Sequence, residues 1–251
     1  PIDAPVVGSI HASLDAILAK MEPFNIRCGE AWKNSINAIK KVNADKMKTK
    51  LNTPSDPMNY FNSLKVVSDV LESYKDIYIV NEGANALDNT RNIINMYHPR
   101  LRLDTGTWGV MGVGMGYSIG AAVSGGKQVL AIEGDSAFGF SGMEIETICR
   151  YKLPVTIIVL NNGGIYRGDE KGQGQNGDPA PTMLMPEARY DRLIEAFGGM
   201  AFHVTKPIEL EEALCAGLAS KRPTLINCVI DPSVGLESGH IGNLNPHSSV
   251  K

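Results

Sequence analysis

The chain has 251 residues and a formal net charge of -3, with 43% hydrophobic and 20% charged residues. This apolar content is enough for a packed core and excludes general disorder. The slightly acidic balance, without a basic block, argues against nucleic acid as the main partner. No apolar run reaches the roughly 18 residues of a membrane-spanning helix. The four cysteines are scattered without a CxxC pair, which indicates a reducing cytoplasm rather than disulfides or a zinc site.

Residues 1–52 are predicted to form a first unit, with a short apolar strand, a helix near 9–21 and a second helix from residue 29. The second helix has an apolar face and a lysine-rich face, which we interpret as a solvated surface or, alternatively, as a landing site for phosphates. Residues 53–57 (TPSDP) break this helix and are predicted to link two domains. Because the chain starts at Pro1 rather than methionine, we expect a fragment or the C-terminal half of a longer chain.

Strand and helix patterns alternate from residue 58 onward. The predicted strands are the apolar runs at 77–80, 101–103, 128–132, 155–160, 200–204 and 225–230. Helical patterns lie between them, at 60–74, 111–124, 142–151, 190–197 and 207–220. This alternation predicts an α/β fold, a parallel six-stranded sheet with helices on both faces. The domain is expected to span 58–232, followed by an extended tail at 233–251.

Functional residues are expected directly after the apolar runs, because ligands bind beyond the carboxyl ends of parallel strands. One run is followed by EGDS and the next by NNGGIY, so Asp135 and Asn162 should meet at one edge of the sheet. Mg²⁺ prefers oxygen ligands and usually keeps a substrate phosphate among them. We therefore predict a Mg²⁺ site made by Asp135, Asn162 and the main-chain carbonyl of Gly164. The alternative is a helix cap at Asp135 and an ordinary turn after the next strand.

The GDS and NN motifs, with 25 residues between Asp135 and Asn161, resemble the diphosphate-binding motif of thiamine diphosphate enzymes. Five segments are similar to the oxalyl-CoA decarboxylase family. They are NEGAN at 81–85, TGTWGVMG at 105–112, EGDSAFGFSG at 133–142, NNGGIYRG at 161–168 and ESG at 237–239. The similarity runs essentially over the whole chain. It implies thiamine diphosphate and Mg²⁺ as cofactors, residues 58–232 as the diphosphate-binding domain, and residues 1–52 as the end of a central α/β domain.

The resemblance also implies individual contacts. The residues expected around thiamine diphosphate are Tyr60, Asn62, Ala84, Asn85, Ala86, Gly109, Val110, Met111, Asp135, Ser136, Ala137, Asn162, Gly164, Ile165 and Tyr166. Met111 is placed under the bend between the two rings of the cofactor, with core packing as the alternative. Arg91 and Asn92 resemble coenzyme A contacts, because guanidinium groups suit phosphate, although a surface arginine is the alternative.

Three residues are assigned to catalysis by the same resemblance, Tyr166, Ser238 and His240. Ser238 matches a tail serine that closes over the acyl group. His240 stands where the family carries a basic residue, and a histidine is charged only part of the time near neutral pH.

The implied reaction is the decarboxylation of oxalyl-CoA to formyl-CoA and CO₂ in oxalate catabolism. The implied protein is a cytoplasmic homo-oligomer, a dimer or tetramer, without nucleic acid or membrane as a partner. In this family the glutamate that activates the cofactor lies on the N-terminal pyrimidine-binding domain of a neighbouring subunit. Glu82 lies in the wrong domain for that role. The chain alone is therefore expected to hold half an active site and to be inactive.

The same residues bear on four other functions. A 2-hydroxyacyl-CoA lyase shares the GDSAFGFSGME type of motif and is the nearest alternative; it would release formyl-CoA and an aldehyde. A nicotinamide dehydrogenase is disfavoured, because Tyr117 stands where GxGxxG needs its last glycine. A serine hydrolase lacks its GxSxG elbow. A non-catalytic role in regulation or assembly stays open, although the intact Mg²⁺ motif argues against it.

Overall fold

The computed structural model describes residues 3–24, 27–165, 179–185 and 187–233. The chain divides into two compact units, Pro1–Lys50 and Leu51–Lys251. In the first unit, the described residues form helix α1 at Ile10–Met21 and most of helix α2 at Glu30–Asn52, and neither helix has a buried residue. The strand predicted before α1 is not formed at residues 3–9, where a proline lacks the N–H of a strand ladder. The domain and linker assignments for residues 1–57 stay predictions.

The second unit is built on one parallel sheet. Over the described residues its six strands are β1 Tyr78–Glu82, β2 Arg102–Leu103, β3 Val129–Gly134, β4 Val155–Asn161, β5 Met200–Val204 and β6 Thr224–Val229. They lie in the order β2-β1-β3-β4-β6-β5, and each neighbouring pair is parallel. The predicted six-stranded parallel sheet is therefore confirmed.

Helices cover both faces of this sheet. They are α3 Tyr60–Leu71, α4 Ala84–Ile93, α5 Gly114–Gly125, α6 Asp135–Ser141, α7 Ile145–Arg150, α8 Asp191–Glu195 and α9 Pro207–Ser220, with 3₁₀ turns at Gly106–Trp108 and Gly142–Glu144. Helices α5 to α8 share a hydrophobic core with β1, β3 and β4. Outside that core, α3 packs against α4 and α9, and α4 and α9 contact the sheet. In the described part of the chain, no helix has the length and apolarity needed to cross a membrane.

The register of the central strands brings their carboxyl ends to one edge of the sheet. All of β4 and all but the last residue of β3 are buried, as expected for strands covered on both faces. In the register, Glu82 of β1 lies opposite Glu133 of β3, which in turn lies opposite Val159 of β4. The three strands therefore end at one edge, and the turns that follow them converge there.

Two helices begin at positions that differ from the prediction. The helix predicted at 111–124 begins at Gly114. The residues before it form a turn, because Gly109 and Gly112 adopt φ of 61° and 99°, in the left-handed region that glycine tolerates. The sequence also predicts a helix only from residue 142, but α6 begins at Asp135, directly after β3. The first difference leaves a turn before α5 at the edge where the strands end, and the second places the start of α6 at the same edge.

Candidate functional site

A cavity of about 380 Å³ lies where the turns after β1, β3 and β4 converge. It brings together most of the predicted cofactor residues and one of the two predicted coenzyme A residues. The predicted residues that line it are Tyr60, Ala84, Asn85, Ala86, Arg91, Gly109, Val110, Met111, Asp135, Ser136, Ala137, Asn162, Gly164 and Ile165. These residues come from segments far apart in sequence, and the parallel register of the strands brings them to one place.

Asn62 and Asn92 do not line this cavity. The side-chain amide of Asn62 donates to the main-chain oxygen of Thr53 at 2.9 Å, and its main-chain N–H donates to Asn59 Oδ1 at 3.1 Å. The structure thus places Asn62 at the capped start of α3, and its contact with the cofactor stays a prediction. Asn92 is exposed on α4. Three further predicted residues lie outside the described residues, namely Tyr166, Ser238 and His240.

Asp135 is the first residue of α6 and is only 1% exposed. Its Oδ1 accepts from the N–H of Ser136 at 2.7 Å, and its Oδ2 accepts from Gly163 at 2.8 Å and Gly164 at 3.0 Å. Burial raises the pKa of Asp135 to about 6, although these hydrogen bonds act to lower it. Among the ion pairs of the described residues, none includes Asp135. A buried carboxylate without a basic neighbour favours a bound cation.

The turn after β4 supplies the other oxygen donors. Gly163 has a φ of 78°, which lets the turn point two N–H groups at Asp135. Asn162 lines the cavity, whereas the side chain of Asn161 turns away and donates to Asn227 Oδ1 at 3.1 Å. No cluster of three His, Cys, Asp or Glu side chains occurs in the described ranges. One carboxylate, one amide oxygen and main-chain carbonyls therefore remain as donors, and this oxygen set fits Mg²⁺ that also binds a diphosphate.

Tyr60 forms another wall of the cavity and is 2% exposed. Burial raises the pKa of Tyr60 above its usual value, and the charge of Asp135 acts in the same direction. A hydrogen bond with Asn85 acts the other way and is outweighed. The hydroxyl therefore keeps its proton and can donate a hydrogen bond within this wall.

Arg91 lines the cavity but already has an acidic partner. Its Nε and Nη2 donate to Oδ2 and Oδ1 of Asp104 at 2.9 and 2.6 Å. The same Oδ1 accepts from the N–H of Gly106 at 2.9 Å, so the ion pair holds the start of the loop that leads to Met111. A coenzyme A contact at Arg91 remains a prediction, and it requires the guanidinium to serve Asp104 as well.

Two buried glutamates without a predicted role lie beside the cavity turns. Glu82 is 1% and Glu133 0% exposed, and they face each other across β1 and β3. Glu82 accepts from the N–H groups of Gly112, of Val113 at 3.2 Å and of Gly114 at 2.6 Å. Burial, followed by the charge of Glu82, raises the pKa of Glu133 well above its usual value. The sequence feature that could have indicated these two buried residues is a glutamate near the end of each of two predicted strands.

Glu133→Gln is expected to remove a loss of stability that grows as the pH rises above the usual pKa of a glutamate. The folded protein holds a proton on Glu133 that the unfolded chain releases near pH 4.5, so the stability from this proton is full below that pH and is lost as the pH rises toward the raised pKa. A neutral amide has the same shape and does not ionise. Urea unfolding at about pH 5 and about pH 8 checks this prediction. The fall in unfolding free energy between the two pH values should be smaller in the variant, and equal falls would contradict it.

Comparison with known proteins identifies the domain. The sequence model of the family described as "Thiamine pyrophosphate enzyme, C-terminal TPP binding domain" matches residues 84–228. The chain belongs to this family. Thiamine pyrophosphate is the same compound as thiamine diphosphate, so the predicted organic cofactor is confirmed, and the chain contains the TPP-binding domain of a thiamine pyrophosphate enzyme.

Relatives of two kinds match nearly the whole of this chain. Oxalyl-CoA decarboxylase of Escherichia coli (strain K12) is 58% identical over 246 residues, which are 98% of this chain and 44% of that protein. The 2-hydroxyacyl-CoA lyase of Arabidopsis thaliana is 44% identical over 248 residues, 96% of this chain and 42% of that protein. The resemblance to oxalyl-CoA decarboxylases is therefore confirmed. The chain spans less than half the length of these curated relatives.

Solved structures show the same fold at low sequence identity. Benzoylformate decarboxylase from Polynucleobacter necessarius aligns with a TM-score of 0.57 and 21% identity, over 67% of this chain and 33% of that one. A putative thiamin diphosphate-dependent enzyme from Mycobacterium smegmatis aligns with a TM-score of 0.54 and 24% identity, over 70% and 32%. At these identities the likeness concerns the fold of the TPP-binding domain alone.

Proposed function

We propose that this chain supplies the diphosphate-binding half of a site that converts oxalyl-CoA to formyl-CoA and CO₂ in oxalate catabolism, with thiamine diphosphate and Mg²⁺. The observation that carries the proposal is the cavity, in which 14 residues predicted from the oxalyl-CoA decarboxylase resemblance lie together. The 58% identity to the E. coli oxalyl-CoA decarboxylase, over 98% of the chain, supports the same reaction.

The metal and diphosphate end of the cavity is proposed to use Asp135, Asn162 and the carbonyl of Gly164 as Mg²⁺ ligands. The burial of Asp135 without a basic partner supports this assignment, because Mg²⁺ would compensate its charge. Ser136 and Ala137 line the cavity next to this carboxylate and are proposed to border the diphosphate. The diphosphate oxygens and water would complete the coordination of the metal.

The ring end of the cavity is proposed to orient the reactive part of the cofactor. Thiamine diphosphate, when bound, would supply the electron sink for the pair that stays on the acyl carbon when CO₂ leaves. Val110, Met111 and Ile165 line the cavity with apolar side chains that exclude water and fix the ring position. The protonated hydroxyl of Tyr60 can donate to a polar atom of the ligand. The substrate contacts Arg91 and Asn92, and the catalytic residues Tyr166, Ser238 and His240, belong to the same proposal.

The partner is proposed to be the pyrimidine-binding domain of a neighbouring subunit in a homo-oligomer. Large apolar side chains are exposed next to the cavity turns, with Trp108 at 90%, Phe140 at 66% and Met143 at 65%. Exposed large apolar side chains beside a site are expected where another protein domain covers that site. A cytoplasmic location is part of the proposal and is supported by free cysteines at four separate positions.

The second candidate reaction is cleavage of a 2-hydroxyacyl-CoA to formyl-CoA and an aldehyde. It is favoured by the 44% identity to the Arabidopsis thaliana 2-hydroxyacyl-CoA lyase over 96% of the chain. The residues of the cavity do not separate the two reactions, because both need the same cofactor end.

A chimera tests the proposal directly. The chain would be joined to the part of the E. coli oxalyl-CoA decarboxylase that it does not match, and incubated with each acyl-CoA, thiamine diphosphate and Mg²⁺. Mass spectrometry should show formyl-CoA and CO₂ from oxalyl-CoA, with at least about 100-fold less product from the chain alone, since that chain lacks the activating glutamate. Formyl-CoA and an aldehyde from the 2-hydroxyacyl-CoA, with no product from oxalyl-CoA, would support the lyase instead. Equal activity of the isolated chain and the chimera would contradict the proposal that the chain holds half of the site.

A further inference from the structure

The turn at residues 109–113 ends where α5 begins, and its last N–H groups are bound by one buried carboxylate. The first N–H groups of a helix have no partner inside the helix. Here Glu82 Oε1 accepts from Gly112 and from Val113 at 3.2 Å, and Oε2 accepts from Gly114 at 2.6 Å. Hydrogen bonds to an ionised acceptor are about twice as strong as neutral ones. Glu82 therefore fixes the main chain on one side of this turn.

The space around Glu82 allows this carboxylate little movement. Glu82 is 1% exposed and stands at the end of β1, whose backbone is paired with β3. A Cβ atom at Gly114 would lie 2.4 Å from Glu82 Oε2 and 2.3 Å from Glu133 Oε1, closer than atoms approach in folded proteins. Any side chain at position 114 would displace the carboxylate from the three N–H groups.

The other side of the same turn faces the cavity. Gly109, Val110 and Met111 line it, whereas Glu82 does not. The start of the loop is tied separately by the Arg91–Asp104 ion pair. The three N–H groups that Glu82 binds belong to this turn and the start of α5, so Glu82 is expected to act on a ligand in the cavity through the turn.

We propose that Glu82 is a positioning residue, which fixes the 109–113 turn so that Met111 faces the cavity before any ligand binds. The identity of the ligand rests on the proposed function, but the contact of Glu82 with the turn does not. In the proposed function Met111 contacts the rings of thiamine diphosphate, while Asp135 holds the diphosphate through Mg²⁺. Glu82 should consequently affect binding of the rings and leave binding of a bare diphosphate unchanged.

Glu82→Gln tests this inference, because the amide keeps the side-chain size but turns an NH₂ group toward N–H donors. In the chimera, the affinity for thiamine diphosphate with Mg²⁺ should fall about tenfold or more, while the affinity for inorganic pyrophosphate with Mg²⁺ should stay within about twofold. Calorimetry measures both. A general loss of structure would lower the affinity for both ligands, so equal losses of the two affinities would overturn the positioning role. Unchanged affinity for thiamine diphosphate would overturn it as well.

A matched control lies in the same helix. Ser118 is 0% exposed, and its hydroxyl donates to the carbonyl of Gly114 at 2.9 Å without contacting the turn. Ser118→Ala should leave both affinities within about twofold. Met111→Ala supplies the second comparison, since Glu82→Gln should add little further loss in a protein that already lacks Met111. Full additivity of the two substitutions would overturn the link between Glu82 and Met111.

Hydrogen exchange tests the contact without any substitution. The amides of Gly112, Val113 and Gly114 should exchange slowly in the unmodified, cofactor-free protein, because Glu82 accepts from all three. Exchange at the rate of exposed loop amides would overturn the inference even if Glu82→Gln fails to fold. If the unmodified protein binds no thiamine diphosphate, the proposed function fails, whereas slow exchange at these amides still supports the role of Glu82 in holding the turn.

Discussion

Asp135→Asn is expected to lower the affinity for thiamine diphosphate in the presence of Mg²⁺ by about 100-fold or more. The substitution removes the one buried carboxylate in the proposed oxygen set and leaves a neutral amide, so it removes the charge that attracts the metal. It also weakens the acceptor for the N–H groups of Gly163 and Gly164, which shape the turn after β4. Titration calorimetry with and without Mg²⁺ measures the effect, and without Mg²⁺ the two proteins should bind equally weakly.

Asp191→Asn is the matched control for this substitution. Asp191 is also buried, at 2% exposed, but it pairs with Arg189 at 2.6 Å and does not line the cavity. Removing its charge should lower stability and leave cofactor affinity within about twofold. An affinity of Asp135→Asn within about threefold of the unmodified protein would exclude Asp135 as a metal ligand.

Phe138→Ala is expected to lower the free energy of unfolding by about 3–5 kcal/mol. Phe138 is 1% exposed in α6, and its ring meets that of Tyr190 edge to face, with 5.8 Å between centroids and 82° between planes. A Cβ atom at Gly142 would lie 2.9 Å from the Phe138 ring, so the packing around this ring is close. Because α6 begins at Asp135, the empty space left in the core by Phe138→Ala should also loosen the metal end of the site. Denaturant unfolding measures the loss.

Phe140→Ala separates packing from aromatic content. Phe140 lies two residues further along α6 but is 66% exposed. Its truncation should change the free energy of unfolding by no more than about 0.5 kcal/mol. Equal losses at the two positions would contradict the burial that distinguishes them.

The strands could be predicted because their signal is local. Runs rich in Val, Ile and Leu, such as 155–160 and 225–230, are typical of strands covered on both faces, and these two lie almost where the sequence places them. The start of α5 could not be predicted in the same way. Met111 fits the helical period of apolar residues, but the main chain at Gly109 and Gly112 adopts positive φ that side-chain periodicity does not report.

The site could be predicted as far as a motif places its residues after a strand. Asp135 and Asn162 follow neighbouring strands, so their meeting in one cavity was foreseeable. The roles of Glu82 and Glu133 depend instead on the register between β1 and β3, which no local pattern encodes. The start of α6 at Asp135 also depends on residues distant in sequence, since the Asp135 carboxylate accepts from N–H groups 28 and 29 residues away.

Because several turns converge on the cavity, a bound cofactor would connect separate parts of the chain non-covalently. The walls of the cavity belong to segments that follow different strands and to the start of α3, so a ligand bound there joins parts of the chain that no covalent connection holds together at that edge. A ligand that binds only the folded state stabilises it by about 2.7 kcal/mol at a free concentration of 100 times Kd. The melting temperature then depends on the supply of thiamine diphosphate. A cell short of thiamine would lose molecules of this protein to unfolding and proteolysis as well as losing activity in those that remain.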